Sequence, residues 1–296
     1  LQTWNNPAVK VGSYKVYPTP VLTKIESDNE AGANMATTGD LVTLTGSNFG
    51  DDQSLVEVRF NGIVASMESF TSEKIVVRTP EYTSGLVTLT IRPEANGDPL
   101  VLVGTGLMDP DARGDVTAIF LKNSVAPFSP NGNINQWVRP DGWLFNSEFN
   151  GSSLTFTNDY PDGLIALQCG WGQSGKKQNA KMYQTATFPK GEYEFELDFV
   201  EVNKQSGRFG VYFAIAEGEG ENAIPNLVED NREGTGKKWY LETDVVGSYG
   251  INGSMNPHKK TLAVKLEQTT RLTIGFVTQL NNTGCVKVSY IKIIRK

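Results

Sequence analysis

Glu192-Tyr193-Glu194-Phe195-Glu196-Leu197-Asp198-Phe199 alternates acid and hydrophobe without a break. Successive side chains on a strand point to opposite faces, so this stretch lays carboxylates on one side of a sheet and apolar groups on the other. A helix would scatter both sets around its axis. Working outward, Phe209 to Ala216 is apolar throughout except for Gly210, as expected of a strand covered on both faces. Thr261 to Leu266, Arg271 to Val277 and Cys285 to Ile294 add further strands, with Lys190-Gly191 and Asn281-Asn282-Thr283-Gly284 as turns. Two short helices are expected, Asp115 to Lys122 with Asp115 as N-cap, and Ala223 to Glu229.

The N-terminal part carries the same period of two in shorter runs. Val42 and Leu44 alternate with threonines, and Val56, Val58 and Phe60 alternate with Glu57 and Arg59. Ile75 and Val77 follow, then Val87, Leu89 and Ile91. Turn residues separate these runs: Gly46 to Asp52, Asn61-Gly62 and Ser84-Gly85. Asn-Gly suits a tight hairpin because both positions need positive φ. Short strands at this spacing predict an antiparallel sandwich.

Composition excludes much chemistry. The 296 residues carry 27 basic and 33 acidic side chains, a net charge of −6, which argues against a nucleic-acid-binding surface. Residues 1–112 hold 7 basic and 14 acidic groups, net −7, and residues 113–296 hold 20 and 19, net +1. His258 is the only histidine, and Cys169 and Cys285 are the only cysteines, so a Cys/His zinc cluster cannot form within the chain. Pairing of the two cysteines stays open. Apolar runs such as Leu100-Val101-Leu102-Val103 are far below the ~20 residues of a membrane-spanning helix. No targeting segment is visible from Leu1, so a processed ectodomain is expected.

Two resemblances organise the chain. Pro18-Thr19-Pro20, Gly39-Asp40-Leu41-Val42-Thr43-Leu44-Thr45-Gly46, Phe49-Gly50, Val56 to Gly62, Ile75 to Pro80 and Gly85 to Ile91 together resemble an IPT/TIG immunoglobulin-like domain. Such domains occur in bacterial surface proteins as spacers and in other settings as binding modules, and the spacer is the expectation here. Asp115 to Asn123 with Pro127-Phe128, and Lys181-Met182-Tyr183-Gln184-Thr185 through Pro189-Lys190-Gly191-Glu192-Tyr193, are similar to carbohydrate-binding sandwiches. The order of the two resembles the surface glycan-binding lipoproteins of gut Bacteroidota. The expected fold is therefore all-β: a tail at 1–16, an IPT/TIG sandwich at 17–103, a linker at 104–114, and a jelly-roll sandwich at 115–296. The resemblance implies non-catalytic binding of a polysaccharide or oligosaccharide at the cell surface. It also implies a lipid anchor in the outer membrane, a neighbouring glycan importer, and a role in polysaccharide utilisation.

Four of the five tryptophans, Trp137, Trp143, Trp171 and Trp239, fall in the second sandwich. A flat ring covers the apolar face of a sugar, and neighbouring amides and charges satisfy its hydroxyls. Trp171 leads the candidates because Gly170-Trp171-Gly172-Gln173-Ser174-Gly175 cannot hide it in a strand, and Gln173 supplies an amide. Trp239 and Tyr240 are adjacent, so in a strand one faces the core and the other solvent. Tyr249, in Gly247-Ser248-Tyr249-Gly250, and Trp143, beside the turn Arg139-Pro140-Asp141-Gly142, complete the set; Trp143 also precedes Leu144-Phe145, a core-like context.

No catalytic residue, metal ligand or cofactor is assigned. Glycoside hydrolysis needs only two carboxylates, and Glu148, Asp162, Glu242 and Asp244 are available, but none sits in a catalytic motif. Glu217-Gly218-Glu219-Gly220-Glu221 reads as a solvated loop with oxygens that suit Ca²⁺, without a calcium motif. Lys176-Lys177 and Lys237-Lys238 read as exposed pairs, with acidic sugars as the functional alternative, and His258 as a loop residue. The alternative functions are adhesion to a protein partner and, behind it, a glycosidase or lyase.

Overall fold

The computed structural model describes residues 17–81, 85–104, 106–110, 112–133, 135, 137–157, 160–171, 177–230 and 238–296. The expected tail at 1–16, Ser84, Gln173, Lys176 and Lys237 lie outside the described residues, as do the side chains of Tyr160 and Asp162. The fold is all-β.

The first part comprises β1 (Val21–Ser27), β2 (Leu41–Ser47), a single 3-10 turn (Gln53–Leu55), β3 (Val56–Phe60), β4 (Ile63–Val64), β5 (Ser66–Phe70), β6 (Lys74–Arg78), β7 (Val87–Ile91) and β8 (Leu100–Val103). They form two antiparallel four-stranded sheets, ordered β1-β2-β6-β5 and β4-β3-β7-β8. The alternation in β3 and β7 turns Val58, Phe60, Val87 and Leu89 onto Val42, Leu44, Ile75 and Val77 of the other sheet, and all eight are buried. Asn61 and Gly62 take φ of 46° and 85°, the doubly left-handed backbone of the two-residue hairpin joining β3 to β4. Phe49 is wholly buried and packs where a side chain at Gly46 would otherwise lie.

The second part comprises β9 (Gly114–Asp115), α1 (Thr117–Phe120), β10 (Trp137–Val138), β11 (Leu144–Phe145), β12 (Leu154–Thr157), β13 (Tyr160–Cys169), β14 (Lys177–Phe188), β15 (Gly191–Lys204), β16 (Phe209–Glu217), β17 (Leu227–Asp230), β18 (Lys238–Leu241), β19 (Gly247–Ile251), β20 (His258–Leu266), β21 (Thr270–Leu280) and β22 (Gly284–Arg295). One sheet runs β10-β12-β13-β22-β15-β20, with β9 on β22, and the facing sheet runs β11-β14-β21-β16-β19. From β13 to β16 and from β19 to β22 the chain alternates between the sheets, the crossing habit of a jelly roll. Phe188, Phe195, Phe199, Phe213, Phe276, Ile274, Ile291 and Ile293 fill the space between them. The apolar run in β16 is covered twice: Val211, Phe213 and Ile215 face this core, and Tyr212 and Ala214 face a second cluster. That second cluster lies under the antiparallel ribbon β17-β18, where Leu227 and Leu241 are buried.

Three expectations need correction here. The helix at Asp115–Lys122 shrinks to α1, because Gly114–Asp115 pairs with Ile294–Arg295 and the chain is extended again at Leu121. Asp115 does accept the Thr117 N–H at 3.0 Å. The helix at Ala223–Glu229 is replaced by β17, whose pairing with β18 buries Leu227 against the sheet. Residues 106–110 and 112, read as linker, are packed: Met108 exchanges main-chain bonds with Asn34 and Ala36, and it joins Met35 in the second sandwich's core. The Arg295 guanidinium donates to the carbonyl of Pro110 at 2.6 Å, and Asn34 Nδ2 donates to that of Thr187 at 2.6 Å, so polar bonds also tie the sandwiches together.

The two cysteines are free and buried. Register pairs Gln168 with Cys285 and Cys169 with Gly284, so the thiols leave their strands on opposite faces. Cys169 faces the core, while Cys285 donates to Glu201 Oε1 at 3.3 Å. Burial, reinforced by the Glu201 carboxylate, pushes the Cys285 thiol up to about 12.

Candidate functional site

Strand register gathers three connections at one end of the second sandwich. Cys169, Lys204 and Gly284 lie side by side in one sheet, and Lys177, Phe209 and Leu280 do so in the other. The β13–β14, β15–β16 and β21–β22 connections therefore leave from the same edge.

Trp171 begins the first of these. Gly170 and Trp171 both take left-handed φ, 81° and 46°. A Cβ at Gly170 would lie 2.9 Å from the Asn282 carbonyl oxygen, so only glycine lets this turn rest on the β21–β22 turn. The Gln168 side chain, 3% exposed, donates from Nε2 to the carbonyls of Gly170 at 3.1 Å and Trp171 at 3.4 Å. Beneath it, Lys177 Nζ donates to the carbonyls of Gln168 and Asn150, each at 2.8 Å, and sits 5.2 Å from the Phe149 ring centroid. The residue they support is 43% exposed, and Trp171 is the only tryptophan among the exposed large hydrophobic residues described.

Lys177 corrects the reading of an exposed lysine pair. It is completely buried, and desolvation lowers its pKa to about 8. Two carbonyls and a ring face satisfy an ammonium that the low-dielectric interior would otherwise disfavour. Lys238 is half-buried in β18.

The site continues from Asn281, whose Oδ1 accepts the Arg208 N–H. The Arg208 guanidinium carbon is 5.9 Å from the ring centroid of Trp239. Trp239 also packs against Gly210, where an added Cβ would lie 2.5 Å from the tryptophan Cβ. Asn252 clamps the main chain of Trp239, accepting its N–H at 2.7 Å and donating to its carbonyl at 3.0 Å. Lys204, Arg208, Glu229, Trp239, Asn252 and Asn281 line an open cavity of about 370 Å³. The β21–β22 turn links this cavity to Trp171.

The remaining candidates fall elsewhere. Trp143 is 5% exposed, with its indole N–H held by the Asn123 carbonyl at 2.9 Å, so it is a core residue and cannot act as a platform. Tyr249 lies in β19 rather than a loop, and its ring packs on Phe199 at 5.7 Å. Its hydroxyl is engaged by His258 Nε2 at 3.0 Å, and burial raises its pKa. His258 is the first residue of β20, stacked on Phe199 at 5.1 Å, and not a loop residue. Tyr240 is half-buried on the face of β18 opposite Trp239. Gln173 lies outside the described residues. Glu148, Glu242 and Asp244 are exposed. Glu219 is paired with Arg271 at 3.1 Å. Among the described residues no three of His, Cys, Asp and Glu converge.

Sequence reasoning missed Arg208, Lys204, Asn252 and Asn281. The available signal was that Ser206-Gly207 and Asn281-Asn282 are turns closing long strands; which turns share an edge depends on register. A larger cavity of about 790 Å³ separates the two sandwiches, lined by Asn34, Leu107, Ile119, Lys122, Gln184 and Arg271 among others. Among the described residues lining it, the one aromatic, Phe120, is buried.

A family model for a domain of unknown function, DUF5013, matches residues 122–275, more than half of the sequence. The chain belongs to the DUF5013 family. The DUF5013 match contains Trp171, Arg208, Trp239 and Asn252 and stops short of Asn281. The IPT/TIG model matches residues 20–98, in agreement with the first resemblance. No curated protein matches. Among solved structures, a carbohydrate-binding module in complex with β-1,4-galactotriose is similar at 8% identity and a TM-score of 0.31, over 53% of this chain and 90% of its own. An auxiliary nutrient binding protein from Bacteroides ovatus is 17% identical with a TM-score of 0.27, over 56% of this chain and 35% of its own. A protein from a complex xyloglucan utilization locus in Bacteroides uniformis is 12% identical with a TM-score of 0.23, over 94% of this chain and 73% of its own. None of these similarities is close enough to transfer a ligand.

Proposed function

We propose that the DUF5013 sandwich binds a polysaccharide or oligosaccharide without cleaving it, on the loop edge that carries Trp171, and that the IPT/TIG sandwich is a spacer. The observation that carries this reading is the exposed Trp171 indole, held on a left-handed turn by Gly170 and Gln168. An exposed ring on a well-supported turn is pre-organised and loses little entropy on stacking a sugar. Covering roughly 100 Å² of apolar surface contributes ~2.5 kcal/mol gross at ~25 cal/mol per Å². Hydrogen bonds from the adjoining amides add orientation. Such a site gives modest affinity for one unit, and a repeating polymer compensates through multiple contacts.

Trp171→Ala is expected to lower retention of the bound polysaccharide in affinity electrophoresis by roughly tenfold or more, with the melting temperature unchanged. Wild-type retention in that variant would remove the assignment. The sequence order of an IPT/TIG domain before this sandwich supports a place on the cell surface, lipid-anchored in the outer membrane beside a glycan importer. No helix among the described residues is long and apolar enough to cross a membrane. Protease shaving of intact cells, with lipid labelling of the native protein, tests that placement.

A second reading, adhesion to a protein partner, is favoured by β8, an edge strand on which Leu100, Val101 and Val103 are 47%, 57% and 58% exposed. Silence on a glycan array together with a partner lost on Val101→Lys would favour it.

A further inference from the structure

Resting on the reading above, we infer that the ligand of this edge is acidic: a polysaccharide bearing a carboxylate or a sulfate ester, with Arg208 receiving the anion in the cavity beside Trp239. Arg208 is exposed in the β15–β16 connection and lies over the Trp239 ring, 5.9 Å from its centroid. Among the described residues it has no acidic partner, and neither has Lys204 on the same wall. The arginine's planar fork is built to take two oxygens of one carboxylate or sulfate, and the Trp239 ring lies within cation–π range of it.

The surroundings fit an anion better than a neutral sugar face. The root of the Trp239 side chain packs against Gly210, and the Arg208 guanidinium carbon lies 5.9 Å from the ring centroid, so ring and cation share one wall of the cavity. Asn252 and Asn281 use side-chain oxygens as acceptors for main-chain N–H groups, of Trp239 and Arg208 respectively. Those bonds fix both backbones. Glu229 is the only carboxylate among the described residues lining the cavity, set against two cations. The cavity of about 370 Å³ has room for a single acidic sugar unit. Trp171, reached through the β21–β22 turn, would stack a neighbouring unit of the same chain.

The whole chain is tested by affinity electrophoresis in gels containing de-esterified polygalacturonate, its methyl-esterified form, chondroitin sulfate, desulfated chondroitin or a neutral β-glucan. Retention by at least one acidic polymer is expected, with a fall of tenfold or more on methyl esterification or desulfation. The polymer retained tells carboxylate from sulfate. Arg208→Met should lose the same tenfold with an unchanged melting temperature, and Arg208→Lys should recover part of it. Lys74→Met, a cation removed from the first sandwich, should change nothing. If a neutral polymer is retained equally by wild type and Arg208→Met, the acidic class is overturned while glycan binding stands. If Trp171→Ala and Arg208→Met leave every retention unchanged, or no polymer is retained at all, both the inference and the reading beneath it fall.

Discussion

The two sandwiches use the same alternation to different ends. In the first, strands run two to seven residues and the connections mainly close hairpins, as Asn61-Gly62 does between β3 and β4. In the second, β13 to β16, β21 and β22 run nine to fourteen residues, and the connections they leave at one edge carry Trp171, Arg208 and Asn281. A long, doubly covered strand fixes where its end lies, so the turn beyond it can present a side chain at a defined place. Short strands with tight turns give a rigid body with few such positions. The difference fits the proposed division into a supporting first sandwich and a recognising second one, although Met35 and Met108 bind them through a shared core.

That shared core is the sharpest point at which to break the comparison. Phe60→Ala empties part of the first core and Phe276→Ala part of the second, and each is expected to cost about 3–5 kcal/mol. If the Met35–Met108 contact couples the sandwiches, calorimetry of either variant shows a single transition moved to lower temperature. Two transitions, of which only one moves, would make them independent bodies.

Lys177, buried beneath the loop edge of the second sandwich, has no counterpart among the described residues of the first. Its folded pKa of about 8 lies below the ordinary 10.5. Below about pH 8 both folded and unfolded chains hold the proton, and this group gives no pH dependence. Between about pH 8 and 10.5 the unfolded chain keeps a proton that the folded one has released, so stability rises with pH. The gain is about 3 kcal/mol at most, at ~1.4 kcal/mol per pKa unit. Urea unfolding of wild type and Lys177→Met across that range measures it as a difference, and parallel pH profiles would contradict it.

A smaller effect belongs to the hairpin. Gly62→Ala places a β-carbon at φ of 85° and should cost about 1–2 kcal/mol by chemical denaturation, with glycan retention unchanged. Altered retention would show that the first sandwich does more than support.

Legibility followed the range of the forces involved. The strands of both sandwiches could be read because alternation and turn chemistry act between near neighbours, as Glu192 to Phe199 and Asn61-Gly62 illustrate. The adjacent Trp239 and Tyr240 take opposite faces of β18 for the same reason. The glycines around Trp171 marked a loop, yet Trp143 and Tyr249, in settings nearly as rich in turn residues, are packed. Their polar atoms found distant partners, the Asn123 carbonyl and His258, which no local pattern reveals. Lys177 looked like half of a solvated pair because the carbonyls of Asn150 and Gln168 that receive it belong to other segments.

The sequence by itself determined that this chain is two β-sandwiches, acidic in the first and near neutral in the second, with few histidines or cysteines for chemistry. Side-chain period, turn residues and composition are local properties and need no fold to be read. Only the tertiary structure decided which rings meet solvent, why the two cysteines do not pair, and that Arg208 comes to rest on Trp239. Those outcomes depend on register between strands distant in sequence, where a shift of one residue would turn every side chain to the other face.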